Sequence, residues 1–112
     1  MPPKQAFLYE KKKEFAKAIY YYKQSLGRYS YGRISSLEIL LGNLEEAQSI
    51  TKAALVNYPS DAKLHFNMGI IYYRKNKILG LAISEVKKAY ELSNDRFYLE
   101  IISKIKIERI LI

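Results

Sequence analysis

The feature that most constrains the fold is an internal repeat, which appears when the chain is aligned on Ala18, Ala47 and Ala82. Seven residues after each of these alanines comes another small residue, namely Ser25, Ala54 and Ala89. Because seven residues make about two turns of an α-helix, both members of a pair lie on one helix face. A large apolar residue precedes each alanine by three positions: Phe15, Leu44 and Leu79. The pattern predicts helices that pack closely through small residues.

The same alignment predicts a second helix in each unit. Small residues lie 12 or 13 positions upstream of the alanines, at Ala6, Ser35 and Gly69. Polar helix breakers separate the two halves, at Lys13-Glu14, Gly42-Asn43 and Asn76-Lys77. Helix-stopping residues follow the alanines by twelve positions, at Ser30, Pro59 and Asn94. Each unit is therefore predicted to be helix, turn, helix, with repeats at about 3–29, 31–59 and 61–94 of a single domain, 1–112.

The units are not evenly spaced. The interval from Ala18 to Ala47 is 29 residues, and the interval from Ala47 to Ala82 is 35. The short interval predicts a trimmed link around Gly27 to Gly32, and the long one predicts an inserted residue at Leu79-Gly80.

The units resemble the tetratricopeptide repeat (TPR) family over roughly residues 5 to 94. The third unit carries most of the resemblance, with Met68-Gly69, Tyr72-Tyr73, Ala82-Ile83, Ala89 and Asn94. It departs from the family pattern at His65, and the second unit departs from it at Glu38, where an aromatic residue is expected. The resemblance implies an all-α, TPR-like solenoid of three helix-turn-helix repeats plus a C-terminal capping helix, seven helices in all. It also implies a non-catalytic scaffold or adaptor that binds a peptide or helix of another protein.

In that family the partner lies against the inner face of the array, lined mainly by the first helix of each pair. The resemblance assigns that face to Phe7, Glu10, Lys11, Arg33, Ser36, Ile39, Leu40, Lys63, Phe66, Asn67, Ile70, Tyr73 and Arg74. Apolar residues there would bury partner side chains, and the cations would steer an acidic flank. Some members of the family bind the acidic C-terminal tails of chaperones through a clamp of Lys, Asn and Arg side chains. That clamp is not expected here, because only Lys63 matches the residues that form it. In an alternative interpretation, Ile39, Leu40 and Ile70 pack against the chain's own C-terminal helix.

The last segment, 95–112, is predicted to be the capping helix, because Tyr98, Ile101, Ile102 and Ile105 form one helical stripe. Beyond it the helix is apolar nearly all round, at Ile107, Ile110, Leu111 and Ile112. These four residues are a candidate interface. They could be covered by a second copy of the chain in a homo-oligomer, by a bound partner, or by further sequence of a longer protein. Since the periodic pattern starts almost at Met1, we expect the chain to be one domain of a longer protein.

The net charge of +8 favours acidic partners, including nucleic acid and anionic membranes. The charge comes from 14 Lys and only 5 scattered Arg, which is more typical of a solvated surface than of nucleic-acid recognition. Binding to nucleic acid or to an anionic membrane is therefore kept only as the less favoured alternative. The longest apolar run, Met68 to Tyr73, is too short to cross a bilayer.

Catalytic chemistry is not expected from this sequence. There is no cysteine, and the one histidine, His65, has no companions at metal-ligand spacing. Neither a glycine-rich phosphate loop nor a nucleophile–base pair is recognisable. We therefore predict a protein that is not an enzyme and that uses no metal or cofactor.

Overall fold

Seven α-helices make up most of the computed structural model, which describes residues 4–25 and 27–111, with side chains as far as residue 108. They are α1 (Lys4–Lys11), α2 (Phe15–Lys23), α3 (Arg28–Leu40), α4 (Leu44–Asn57), α5 (Ala62–Ile71), α6 (Leu79–Ser93) and α7 (Arg96–Leu111). A π-helical segment, Tyr72–Asn76, prolongs α5. No strand occurs among the described residues, so the prediction of an all-α chain with seven helices is confirmed.

The three helical hairpins, α1–α2, α3–α4 and α5–α6, are closed by turns of one kind. Each turn contains one residue with positive φ: Lys13 at 63°, Gly42 at 83° and Lys77 at 57°. In the first two, the next N–H bonds back to a carbonyl five residues earlier, at 2.9 Å in both cases. This closure satisfies carbonyls left without a partner at the helix end. The predicted polar breakers therefore mark the turns correctly.

The inserted residue of the third unit lies in the π-helical segment, not at Leu79-Gly80 as the sequence predicts. The left-handed residue precedes the aligned alanine by five positions in every unit, so the start of α6 is regular. Upstream, Gly69 and Lys77 are eight residues apart, whereas the matching residues of the other units are seven apart. The closing hydrogen bond, from Ile78 N–H to the Tyr72 carbonyl (3.2 Å), spans one residue more than in the other turns. The wider turn absorbs the extra residue.

The link between the first two hairpins also differs from the prediction. Ser30, expected to end the first unit, lies buried in the first turn of α3. Its Oγ donates a hydrogen bond to the Ser25 carbonyl at 2.7 Å. Ser25 is exposed just beyond α2, so it does not form the helix contact predicted for it. Helix α2 ends at Lys23 and α3 begins at Arg28, so Gly32 is inside α3 and not in the link.

Consecutive helices pack against one another, and α3 also packs against α5. Five of the six aligned small residues are fully buried: Ala18, Ala47, Ala54, Ala82 and Ala89. The upstream small residues Ala6, Ser35 and Gly69 are buried as well. At Gly69 an added Cβ would lie 2.8 Å from Val86 Cγ2 and 3.0 Å from the Ala82 carbonyl oxygen. Only glycine permits that approach of α5 to α6.

Helix α7 packs on α6. Tyr98, Ile102 and Ile105 are buried in one cluster with Val86 and Ala89 of α6. The stripe predicted from the sequence is therefore the face by which α7 packs. With α7 in place, α3, α5 and α7 form the sides of a long depression, which positions the candidate site.

Candidate functional site

The depression runs along α5, and we call it the α3–α5–α7 trough. Its first part is a cavity of about 320 Å³, lined by Ser36, Ile39, Lys63, Phe66, Asn67, Ile70, Arg74 and Ile101. It continues into a smaller cavity of about 130 Å³, lined by Ile70, Tyr73, Arg74, Ile101, Lys104, Ile105 and Glu108. Apolar and aromatic side chains thus make up much of the lining, with cations beside them. A concave, mainly apolar surface with a few polar groups is the usual form of a binding site.

The structure brings together most of the residues that the sequence predicts for the binding surface. Seven of them line the first cavity, and Tyr73 lines the second. Arg33 and Lys63 line a neighbouring cavity of about 410 Å³ between α3 and α5. Phe7, Lys11 and Leu40 line none of these three cavities.

Four residues of α7 that the sequence did not assign to the site also line the trough: Ile101, Lys104, Ile105 and Glu108. The alternative in which the C-terminal helix fills the groove is therefore not what this arrangement shows. Helix α7 packs on α6 and contributes one wall, and the cavity beside Ile70 stays open. The periodic stripe of α7 marked Ile101 and Ile105 as packing residues but did not indicate that they border a cavity.

The three cations that line the trough, Lys63, Arg74 and Lys104, have no carboxylate within ion-pair distance among the described residues. Lys63 Nζ lies 5.3 Å from the centre of the Phe66 ring, a cation–π contact. Loss of solvent around Lys63, and then the charge of Arg33, lower the pKa of its ammonium group. Arg74 is exposed. Among the residues that the structure describes, Glu108 at the far end is the only acid that lines the two parts of the trough. The end of the trough near Lys63 is suited to an anionic group.

Arg33, which lines the neighbouring cavity, differs from Lys63 and Arg74 because its side chain is held by a carboxylate. Its Nε donates to Glu10 Oε1 at 3.2 Å, and its Nη2 donates to Glu10 Oε2. Tyr22 OH donates to the same carboxylate at 2.8 Å. Burial alone would lower the pKa of Arg33, but its hydrogen bonds and charge attraction with Glu10 raise it. Burial, followed by the hydrogen bond to Glu10, raises the pKa of Tyr22. These contacts join α1, α2 and α3, so the Arg33 charge is largely balanced within the chain.

Phe66 serves both the trough and the core. Its ring centre lies 5.6 Å from that of Phe97 and 5.3 Å from that of Tyr98, in a cluster that joins α5 to α7. Burial, and then the charges of Asp95 and Asp61, raise the pKa of Tyr98. Removal of the Phe66 ring would therefore disturb the packing as well as any contact with a partner.

His65 has a structural role in this arrangement. Its Nδ1 is 2.9 Å from Glu85 Oε1, and its Nε2 is 2.7 Å from the Pro59 carbonyl oxygen. The side chain therefore ties the start of α5 to α6 and to the preceding loop. In the part of the chain that the structure describes, no three His, Asp or Glu residues are grouped as metal ligands.

The models of known protein families give no match to this sequence, and neither do the curated proteins. None of the described helices has the length and apolar character that a membrane span requires.

Proposed function

We propose that this chain is a TPR-like scaffold or adaptor domain that binds a peptide segment of another protein in the α3–α5–α7 trough. The TPR-like arrangement is supported by three hairpins with matching turns, by small residues at the helix contacts, and by the packing of α3 on α5. The observation that carries the binding proposal is an open apolar cavity flanked by Lys63 and Arg74, which have no carboxylate partner among the described residues.

Charge complementarity identifies the chemistry of the partner. Large apolar side chains of the peptide would enter the cavity beside Ile70, and acidic side chains would lie near Lys63 and Arg74. Each buried large apolar side chain contributes roughly 1.5–3 kcal/mol. Two anchors would therefore contribute roughly 3–6 kcal/mol, against an association cost of roughly 4–15 kcal/mol. Apolar anchors alone do not give stable binding, so the charged and polar contacts of the trough are required.

Selection from a random-peptide library, with the whole 112-residue chain as bait, tests this function. We expect the enriched peptides to combine one or two large apolar residues with Asp or Glu, relative to the unselected library. Their binding should weaken only moderately as salt rises. Binding to nucleic acid or anionic lipid, by contrast, would fall steeply with salt because it rests on phosphate contacts. Enrichment of basic peptides, or no enrichment, would count against a peptide-binding trough.

Self-assembly is a second candidate, and it rests on the exposure of Ile107, whose residue surface is 54% accessible on α7. The side chains of Ile110 and Leu111 lie outside the described residues, and so does Ile112 altogether. If a second copy covers this helix end, the intact chain should sediment as a dimer, and a chain ending at Lys106 should sediment as a monomer. A monomer in both forms would show that the end of α7 is not a homo-oligomer interface.

A further inference from the structure

The turns of the three hairpins, 12–14, 41–43 and 77–78, lie at the same end of the molecule, which we call the turn end. Lys75 Nζ, just before the third turn, is 3.8 Å from Glu45 Oε2, just after the second. The starts of α3 and α5 meet at the opposite end, where Arg28 Nε is 3.6 Å from Asp61 Oδ2. Because α1 and α2 form a hairpin like the others and α2 packs on α3, the first turn also belongs to the turn end.

Lysines dominate the charge of the turn end. Lys12 and Lys13 lie in the first turn and Lys77 in the third, and α7 brings Lys104 to the same end, since it shares a cavity with Arg74. All four lysines are exposed, and none is within ion-pair distance of a carboxylate among the described residues.

The carboxylates at the turn end do not balance these lysines. They are Glu10, Glu14, Glu38, Glu45, Glu46 and Glu108. Glu38 is buried, and three of the others already have a basic partner. The turn end therefore keeps an excess of positive charge, which favours an anionic partner.

The backbone at two of the turns is a second observation. Lys13 and Lys77 have φ of 63° and 57°, in the left-handed region, where a lysine is strained and a glycine is not. The equivalent place in the second turn is taken by Gly42, with φ of 83°. Folding alone would favour glycine in all three turns. A strained residue kept at an exposed tip is typical of a functional position.

Exposed aliphatic side chains stand beside these lysines. Leu40 and Leu41 are 62% and 43% accessible at the second turn, and Ile78, next to Lys77, is 44% accessible. Together, cations and aliphatic side chains suit an anionic bilayer, in which the headgroups attract the cations and the acyl boundary buries the aliphatic groups. A nucleic acid would leave the aliphatic groups in water, and the three turns contain no aromatic residue on which a base could stack.

We propose that the turn end docks on an anionic lipid surface, with Lys12, Lys13 and Lys77 at the headgroups and Leu41 and Ile78 at the acyl boundary. Each of the two contributions alone gives weak binding, and the two together give reversible docking. This inference goes beyond the proposed function, because it needs neither a peptide nor the trough. Since the turns touch the surface, the helices stand upright on it and the trough stays open to a partner.

Co-sedimentation with vesicles tests the proposal. The whole chain should sediment with vesicles of phosphatidylcholine that contain phosphatidylserine and not with phosphatidylcholine alone, and the bound fraction should fall as salt rises. Lys13→Gly with Lys77→Gly should weaken this binding by roughly ten- to thirtyfold. Because glycine relieves the left-handed strain, the urea midpoint of this variant should not fall, so unfolding would not explain the loss.

The matched control is Lys52→Ala with Lys87→Ala, which removes two exposed lysines from the middle of α4 and α6 and lowers the net charge by the same amount. It should bind the vesicles almost as the wild-type chain does. Equal losses for the two variants would show diffuse attraction by net charge and would overturn the proposal.

A third variant, Leu41→Ser with Ile78→Ser, tests the aliphatic contribution and should also weaken vesicle binding. Unchanged binding of this variant, or tighter binding of the wild-type chain to a single-stranded RNA than to the vesicles, would show that the turn end does not dock on lipid. No sedimentation of the wild-type chain with phosphatidylserine vesicles would reject the inference and leave the peptide-binding trough standing.

Discussion

Substitution of Ala89 by leucine should lower the free energy of unfolding by roughly 1–3 kcal/mol. Ala89 is fully buried between α6 and α7, in one cluster with Tyr98, Ile102 and Ile105. The larger side chain has no free volume there, so it must push α7 away or adopt a strained rotamer. Urea denaturation followed by circular dichroism measures the change.

The matched control is Ala53→Leu in α4. Ala53 is exposed, so leucine at that position displaces nothing, and the urea midpoint should stay almost unchanged. Equal midpoints for the two variants would show that α6 and α7 are not packed through Ala89. A large loss for both would mean that the helix assignments themselves are wrong.

The helical contacts were the most predictable part of the fold. A small residue repeated after seven positions marks one helix face, and such a face is useful only where another helix approaches closely. Gly69 and the aligned alanines are buried for that reason. The links were less predictable. Serine often ends helices, and Ser30 was expected to do so. Instead its hydroxyl donates a hydrogen bond to the Ser25 carbonyl, and Ser30 lies in the first turn of a helix.

The inserted residue illustrates the same limit. Spacing counts show that the third unit has an extra residue, but they cannot locate it. The π-helical segment at the end of α5 takes up the extra residue, so Lys77 keeps the left-handed conformation that Lys13 and Gly42 have in the other turns. The place of the extra residue depends on how α5 packs against α4 and α6, and a local sequence pattern does not predict that packing.

The part of the site that could be predicted from the sequence is the set of residues that share one face of a helix. Lys63, Asn67 and Ile70 lie at helical spacing on one side of α5, Arg74 follows in the π-helical segment, and all four line one cavity. Pairings between distant segments were not predictable in this way. The bond between Arg33 and Glu10 joins residues 23 positions apart. The hydrogen bonds from Asn67 Nδ2 to Ser35 Oγ and Ser36 Oγ likewise form only when α3 and α5 are packed together.

The affinity of the selected peptide for a charge-reversed trough tests the central claim most directly. Lys63→Glu with Arg74→Glu should weaken binding by roughly ten- to a hundredfold, because attraction to an acidic peptide becomes repulsion at two positions. Both side chains are exposed and have no carboxylate partner among the described residues, so the change breaks no ion pair, and the helix content by circular dichroism should stay the same.

The control is Lys52→Glu with Lys87→Glu, two exposed lysines on α4 and α6 that line none of the cavities along α3, α5 and α7. Both double variants lower the net charge from +8 to +4, so general electrostatic attraction changes equally. Fluorescence anisotropy with a labelled peptide measures the dissociation constants. We expect a large loss of affinity for the trough variant and little change for the control. Equal affinities for the two variants would show that the peptide does not bind in the trough.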